Sequence, residues 1–578
     1  MYLKKSLIKK SGRTHLSIKE SFRDKDGVPR QKTVKTLGYL DVLEKEYDNP
    51  IAHFTEVAKQ MTEEYKKETA PVVLEINKNA ILPENSCSKK NYGYAAFSKI
   101  YHELEIDQFF KNRQKKSKAQ FNINSIFRAL VFSRLLNPCS KKASFDSFGK
   151  LFDKCDFTLD DVYRSLDIFK NYQSDLQLWI HEHIKKQYSR DTSLVYYDVT
   201  NYYFEIDEED DMRRRGVSKE HRPDPIVQMG LFMDTNGLPI NYGLFSGNTL
   251  DKQTLIPMMG RLVDDYNLGK VIVVADRGMI TGDNIAQTII DGNGYVLSYS
   301  IKSADKEFKD YVFDPSGYSI PSEEDGFRIK SRQADRLIWV TEPFTGKKKH
   351  ISVEEKHVVF YSPDYAKKAR YERERVLIKA KSLIANPGKY NKSTGYGAAK
   401  YIKNIAFDKT TGEILTSKGQ VLEIDDVLIK EEEKYDGYYA IVTSEYEKTD
   451  SEILDIYRGL WKIEESFKIT KTGLETRPVY LSNHEHIQAH FLICFTALIL
   501  ARLLEYRMER KYPVQRILES IRNSECSLIE ENMYLFNYRD EVLDEIGKAT
   551  GIDFSRKYMT LKEIKTVMGD VKKPAPLK

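Results

Sequence analysis

Two apolar runs, LVYYDVT at Leu194–Thr200 and KVIVVADRG at Lys270–Gly278, each carry β-branched and aromatic residues up to a single acid, Asp198 in one and Asp276 in the other. Runs of this kind read as strands buried on both faces, so each acid must find a cap, a turn or a ligand to offset its charge. Around them the pattern alternates strand and helix. IVQMGLFMD and LPINYGLFSG read as a hairpin about Asn236-Gly237, DKQTLIPMMGRLVDDY as a helix, and GYVLSYSI as a further strand. In open α/β sheets ligand sites collect at strand ends, where two such acids can converge; taken singly, an aspartate there is most often a cap or turn former.

The rest of the chain sets the frame. A length of 578 residues calls for three or more domains, and a hydrophobic share of 41% with 31% charged residues suits a globular protein. The longest apolar run, FLICFTALILARLL at Phe491–Leu504, is short for a membrane span and contains Arg502, so a buried helix and no membrane are expected. The amino terminus lacks an apolar signal region, which places the expected location in the cytoplasm. Five scattered cysteines without a C-x-x-C pair exclude a disulfide framework and a zinc ribbon.

Net charge is only +5, but residues 1–40 hold eleven Lys/Arg against three acids, which suits a polyanionic partner. THLSIKESFRD, KDG and VPRQKTVKTLG read as a hairpin turning at Asp26-Gly27; its lysines suit phosphate contacts and equally suit guarding a sheet edge. Residues 68–95 read as a linker. From about 96 to 190 the pattern is helical, with Ile123, Ile126, Phe127, Leu130 and Val131 on one face and basic residues at Lys111–Lys118, Arg128, Arg134, Lys141 and Lys142. That fits a helical DNA-binding domain or a bundle with an ordinary charged surface. Residues 305–440 have poor periodicity and read as an insertion, YYAIVTS resumes a buried strand, and the tail after Lys511 mixes helix and loop.

A third acid comes from SEILDIYRGLWKIEESFKITKTG, which reads as one helix. Tyr457, Trp461, Glu464, Lys468 and Lys471 fall on one stripe, beside an apolar stripe of Ile456, Leu460, Ile463 and Phe467. Glu464 therefore borders the core and can aim at the strand ends, or pair with Lys468 one turn on. Three carboxylates suit hard divalent cations such as Mg²⁺, and two such ions serve in-line displacement at phosphorus, so phosphodiester chemistry on nucleic acid is favoured. Other candidates are weaker: His486 and His490 lack a third ligand, GYGAAK near Gly395 does not match a phosphate loop, Glu205–Asp211 reads as a solvated acidic loop, and Trp339 as a core residue.

YYDVT, VVADRG and Y-x6-E-x6-K (Tyr457, Glu464, Lys471), with GLPINYGLFSGNTLDKQTL and a long stretch before the glutamate, resemble bacterial insertion-sequence transposases of the DDE class, over roughly residues 1–510. More narrowly the chain resembles the group with a Y-x2-R-x3-E-x6-K signature, although Leu460 stands where that signature has Arg; Arg458 lies elsewhere on the helix, and Arg477 is the candidate substitute. The resemblance implies an α/β fold: a ribonuclease H-like catalytic core with a β-rich insertion, plus a helical N-terminal domain and a basic β-hairpin. Its expected parts are residues 1–80 (hairpin and helix), 81–190 (helical, DNA-binding), 191–305 and 441–510 (core), 306–440 (insertion) and 511–578 (C-terminal helical tail). It implies Asp198, Asp276 and Glu464 as catalytic ligands of two Mg²⁺ ions, with Mn²⁺ a possible substitute. Tyr457, Lys468, Lys471, Thr200, Arg458 and Arg477 are the implied DNA contacts, and an unpaired base stacked on Trp339 belongs to the same picture. The function implied is cleavage and strand transfer at terminal inverted repeats into target DNA by a homodimer on paired ends; a nuclease without strand transfer and a non-catalytic DNA-binding protein are the alternatives.

Overall fold

β-branched and aromatic runs pair wherever both faces can be covered, and that rule organises the computed structural model, which describes residues 1–8, 12–23, 29–69, 79, 81, 84, 88–220, 222–279, 281–320, 326–389, 397–403, 405–406, 414, 422–530 and 532–573. The chain divides into two units, Met1–Leu82 and Pro83–Lys578. In the first, β1 (Tyr2–Ile8), β2 (Arg13–Arg23) and β3 (Pro29–Tyr39) form an antiparallel sheet in the order β1-β2-β3, so the expected hairpin is joined by a third strand. The turn placed at Asp26-Gly27 lies outside the described residues. Leu16, Leu43 and Phe54 form a small core beneath the sheet, together with the helix Pro50–Thr69, while β3 is mostly exposed.

The second unit opens with β4 (Lys89–Asn91) and six helices between Ala95 and Tyr188. There follow β5 (Leu194–Tyr203), β6 (Ile226–Asp234), β7 (Pro239–Ser246), β8 (Ile272–Ala275), β9 (Gly294–Tyr299), β10 (Arg328–Thr341), β11 (Lys348–Tyr361), the short β12 (Ile402–Lys403) and β13 (Glu423–Ile424), and β14 (Tyr438–Thr443). β5, β6 and β7 form an antiparallel meander, and β8 and β9 run parallel to β5 on its other side. Parallel neighbours need crossovers, which the helices Leu255–Tyr266 and Gly282–Ile290 supply. The mixed sheet with its helices fits the expected ribonuclease H-like α/β core. The full sheet has 8 strands in the order β10-β11-β14-β9-β8-β5-β6-β7.

Several expectations are corrected here. The hairpin β10–β11 of the insertion continues the core sheet through β14, and the charged stretch YAKKARYERERVLIKAKSLI, which reads as a helix in the sequence, lies in the helix Pro363–Ala385 of 23 residues. Trp339 is no core residue; it is 57% exposed on that hairpin, its ring against His350. The linker and the C-terminal tail are partly strand: β15 (Glu525–Glu530), β16 (Met533–Phe536) and β17 (Tyr558–Thr560) pair in a sheet of order β17-β16-β15-β4. The partner β4 lies about 430 residues upstream, so no local pattern reveals the pairing.

The helix His484–Arg507 is long and apolar enough to cross a membrane, yet 94% of its apolar window is buried within the fold. Arg502, 1% exposed on that helix, is answered by Glu465 at 2.9 Å and Glu505 at 2.8 Å, the pairing a buried guanidinium requires. The stretch expected as one late helix is broken in two, Asp450–Arg458 and Trp461–Lys468, followed by a wider turn at Ile469–Gly473. The break sits at Gly459, where a Cβ would meet the Tyr196 hydroxyl at 2.1 Å. Gly459→Ala is therefore expected to lower the unfolding free energy in urea by about 1–3 kcal/mol, the usual range for overpacking. Tyr196→Phe, which removes the clashing hydroxyl, should recover part of that loss in the double variant.

Candidate catalytic site

Strand register brings the two aspartates together. Tyr197 of β5 is level with Ala275 of β8, and Ala275 with Leu297 of β9. One residue further along these parallel strands, Asp198, Asp276 and Ser298 come level, at the roughly 4.8 Å spacing of neighbouring strands. Side chains alternate across a sheet, so all three share the face of Tyr196, Val274 and Val296. That face packs on Ile453, Leu454, Leu460, Ile463 and Phe467, from the two late helices.

Contacts fix where those helices run. Gly459 and Lys462 lie against Tyr196, the Lys462 ammonium being 5.3 Å from its ring, while Thr470 shares a hydrogen bond of 2.7 Å with the Tyr202 hydroxyl. Residues 459–470 thus run along β5 from Tyr196 to Tyr202, and Glu464 passes at the level of Asp198 and Thr200. At the near end the Tyr457 hydroxyl reaches Asp276 Oδ1 at 3.4 Å. At the far end Lys471 donates to Glu220 at 2.8 Å, and Arg477 pairs with the same carboxylate.

The charges are strained. Asp198 is largely buried, and burial together with Asp276 and Asp251 pushes its carboxyl up to about 6, against the pull of Lys219 3.8 Å away and of the Val199 N–H. Asp251, at the start of the turn after β7, is also raised, first by burial. Asp276 accepts from Ser298 Oγ at 2.7 Å and from the Arg277 N–H at 2.7 Å. Burial opposes ionisation of Glu220, but Lys471 and Arg477 outweigh it and hold the carboxyl below its ordinary range.

Among the described residues no three His, Cys, Asp or Glu side chains stand close enough to hold a metal ion together. Like charges at close range repel. Asp198 turns to Lys219 and Asp276 to Ser298 and Tyr457, while the exposed Glu464 side chain makes no hydrogen bond or ion pair among the described residues. The alternative pair of Glu464 with Lys468 does not form either.

The remaining candidates scatter. Thr200 is 2% exposed. Lys468 is exposed, and Arg458 is exposed with Asp455 at 3.8 Å. His486 faces Asp167 whereas His490 is buried against Lys141 and Thr476, so the two histidines do not converge. The run Glu205–Asp211 is not simply solvated: Asp210 binds Arg213 at 2.6 Å and Glu209 lies within 3.8 Å of Arg214 and Arg215. Lys219, Glu220, Asp251 and Ser298 escaped the reading of the sequence; only Ser298 had a signal, its place in a strand.

The raised Asp198 carboxyl predicts a stability effect. Its folded value of about 6 exceeds the ordinary 3.8, so the folded state prefers the protonated form, and ionising it costs stability as pH rises through that window. Asp198→Asn is expected to raise the melting temperature above pH 6, by the equivalent of about 2–3 kcal/mol. Below about pH 4 the gain disappears, because both states then hold the proton; calorimetry across pH checks it.

Residues 211–500 match the family model "Transposase DDE domain", and residues 3–72 match "IS1634 family transposase, N-terminal domain". Among curated proteins none matches. Solved structures similar to this chain include the Mos1 transposase paired-end complex with left transposon end, at 12% identity and a TM-score of 0.14, covering 42% of this chain and 66% of that one. The Mos1 mariner paired end complex with Mn aligns at 10% identity and a TM-score of 0.10, covering 39% of this chain and 63% of that one. The chain thus spans slightly less than two thirds of those structures, and at such TM-scores they carry no weight for the fold. The first family model covers half of the chain and includes Asp276 and Glu464, and on that ground the chain belongs to the insertion-sequence DDE transposases.

Proposed function

We propose that this transposase binds the terminal inverted repeats of its own element as a homodimer on paired ends, cuts the DNA there and joins the freed 3′-OH to target DNA in the cytoplasm. The observation that carries the reading is the level placement of Asp198 and Asp276 on adjacent parallel strands, under the helix that bears Glu464. Carboxylates of this kind suit a divalent cation: the donors are all hard oxygens, and Asp198 is held near 6 by burial and neighbouring acids, a cost that a cation removes. Asp198, Asp276 and Glu464 would hold two Mg²⁺ ions, or Mn²⁺ in their place, which when bound supply charge neutralisation at the phosphodiester and polarise its oxygens.

The chain's own groups do the positioning. Ser298 and Tyr457 donate to Asp276 and fix its carboxylate, while Lys219 steadies Asp198. Lys471 and Arg477, now held by Glu220, are the cations to pass to phosphates of the scissile strand, and the exposed Lys468 and Arg458 flank the same path. Arg477 stands in for the arginine that Leu460 replaces in the Y-x2-R-x3-E-x6-K pattern. Phosphoryl transfer needs positioning and charge neutralisation more than proton-shuttling side chains, which accounts for a site of acids and cations.

The test uses labelled element-end DNA with Mg²⁺. Joined products are expected; cleavage alone marks a nuclease, and a gel shift with neither marks a binding protein. Chelation with EDTA should abolish cleavage and leave the gel shift. Asp276→Asn should bind DNA with unchanged affinity and lose cleavage by at least about a hundredfold; undiminished cleavage removes the metal assignment.

A further inference from the structure

Away from the carboxylates, the second unit contains a cavity of about 120 Å³ walled by Arg134, Lys141, His490, Arg477 and Tyr480. Arg134 and Lys141 are each only 5% exposed. Arg134 is committed to backbone carbonyls, at 2.8 Å from Cys139 O and 3.3 Å from Leu474 O. Lys141 Nζ lies 3.1 Å from His490 Nδ1 and His490 Nε2 lies 3.3 Å from Thr476 O; burial first, then Lys141 and Arg134, hold the imidazole well below its ordinary range. Among the described residues neither Arg134 nor Lys141 has an acidic partner. Burial first, and Arg134 second, press the Lys141 ammonium down to about 7.

A buried pair of cations without a counter-charge is unfavourable unless something anionic completes it. Here the space for that anion exists. The cavity opens to solvent past Ser140, Glu475 and the 71% exposed Tyr480, and it has room for one tetrahedral oxyanion. Ammonium and guanidinium donors match phosphate oxygens with strong charge-assisted bonds. An internal phosphodiester carries a bulky substituent on both sides and does not fit inside, whereas a terminal phosphate or free phosphate does.

We propose that this cavity is a binding site for a single phosphate group, offered either by the 5′ end of a DNA strand or by free phosphate in solution. The DNA source rests on the transposase reading; the anion site does not.

The experiment compares the full chain with Lys141→Gln and Lys141→Met. In calorimetry at constant ionic strength and pH 6.5, inorganic phosphate should raise the melting temperature of the unsubstituted chain by several degrees over chloride, and both variants should lose that shift. Lys141→Met, which deletes one of the two buried charges, should melt higher than the unsubstituted chain without phosphate, so loss of the shift cannot be assigned to misfolding. Anisotropy with short duplexes then separates the sources. A preference of about tenfold or more for a 5′-phosphate over a 5′-hydroxyl, lost in Lys141→Gln, assigns the site to DNA ends. No such preference, with the phosphate shift retained, assigns it to the free anion. Equal phosphate shifts in the unsubstituted chain and both variants, or no shift in any, overturn the site, and neither result touches the cleavage assay on element ends.

Discussion

Two carboxylates held level on adjacent parallel strands are the constraint around which the second unit is arranged. β5 and β8 align Tyr197 with Ala275, and the next step places Asp198 beside Asp276 on the face covered by the late helices. Burial raises the cost of charge there, as the elevated Asp198 carboxyl records. The acids make sense as donors to a cation, and the surrounding groups, Lys219, Ser298 and Tyr457, hold them in place.

The second dependence is on the break at Gly459. With a side chain there the late segment could not lie on Tyr196, and the run from Tyr457 to Lys471 would not follow β5 past Asp198. That path links Asp276 at one end to Glu220, Lys471 and Arg477 at the other. Charge thus changes along that path: Asp276 just past the end of β8 and Asp198 in the middle of β5 come first, then Lys471 and Arg477, both paired with Glu220.

Much of this was legible before any coordinates. Continuous apolar runs rich in β-branched and aromatic residues mark β5 to β9, and Asn236-Gly237 marks a tight connection in which Gly237 takes φ of +71°. Asp276 does follow the end of β8, whereas Asp198, expected at a strand end, sits in the middle of β5, which continues to Tyr203. What stayed hidden was non-local. The pairing of β4 with β15 joins segments about 430 residues apart; the Gly459 break answers a tyrosine on another element; and Lys219 with Glu220 sits in a loop whose local pattern says nothing of its neighbours. The helical periodicity of Tyr457, Glu464 and Lys471 predicts one straight stripe, whereas the segment breaks at Gly459, and Asp198, Asp276 and Glu464 do not close on one point in this conformation.

The most direct test asks whether Glu464 shares the cation with the two aspartates. Replacing Mg²⁺ by Fe²⁺ and adding ascorbate and peroxide cuts the backbone next to the bound ion. With element-end DNA present, the account predicts cuts in three remote segments, near residues 198, 276 and 464. Cuts at the first two with none near 464 would contradict it.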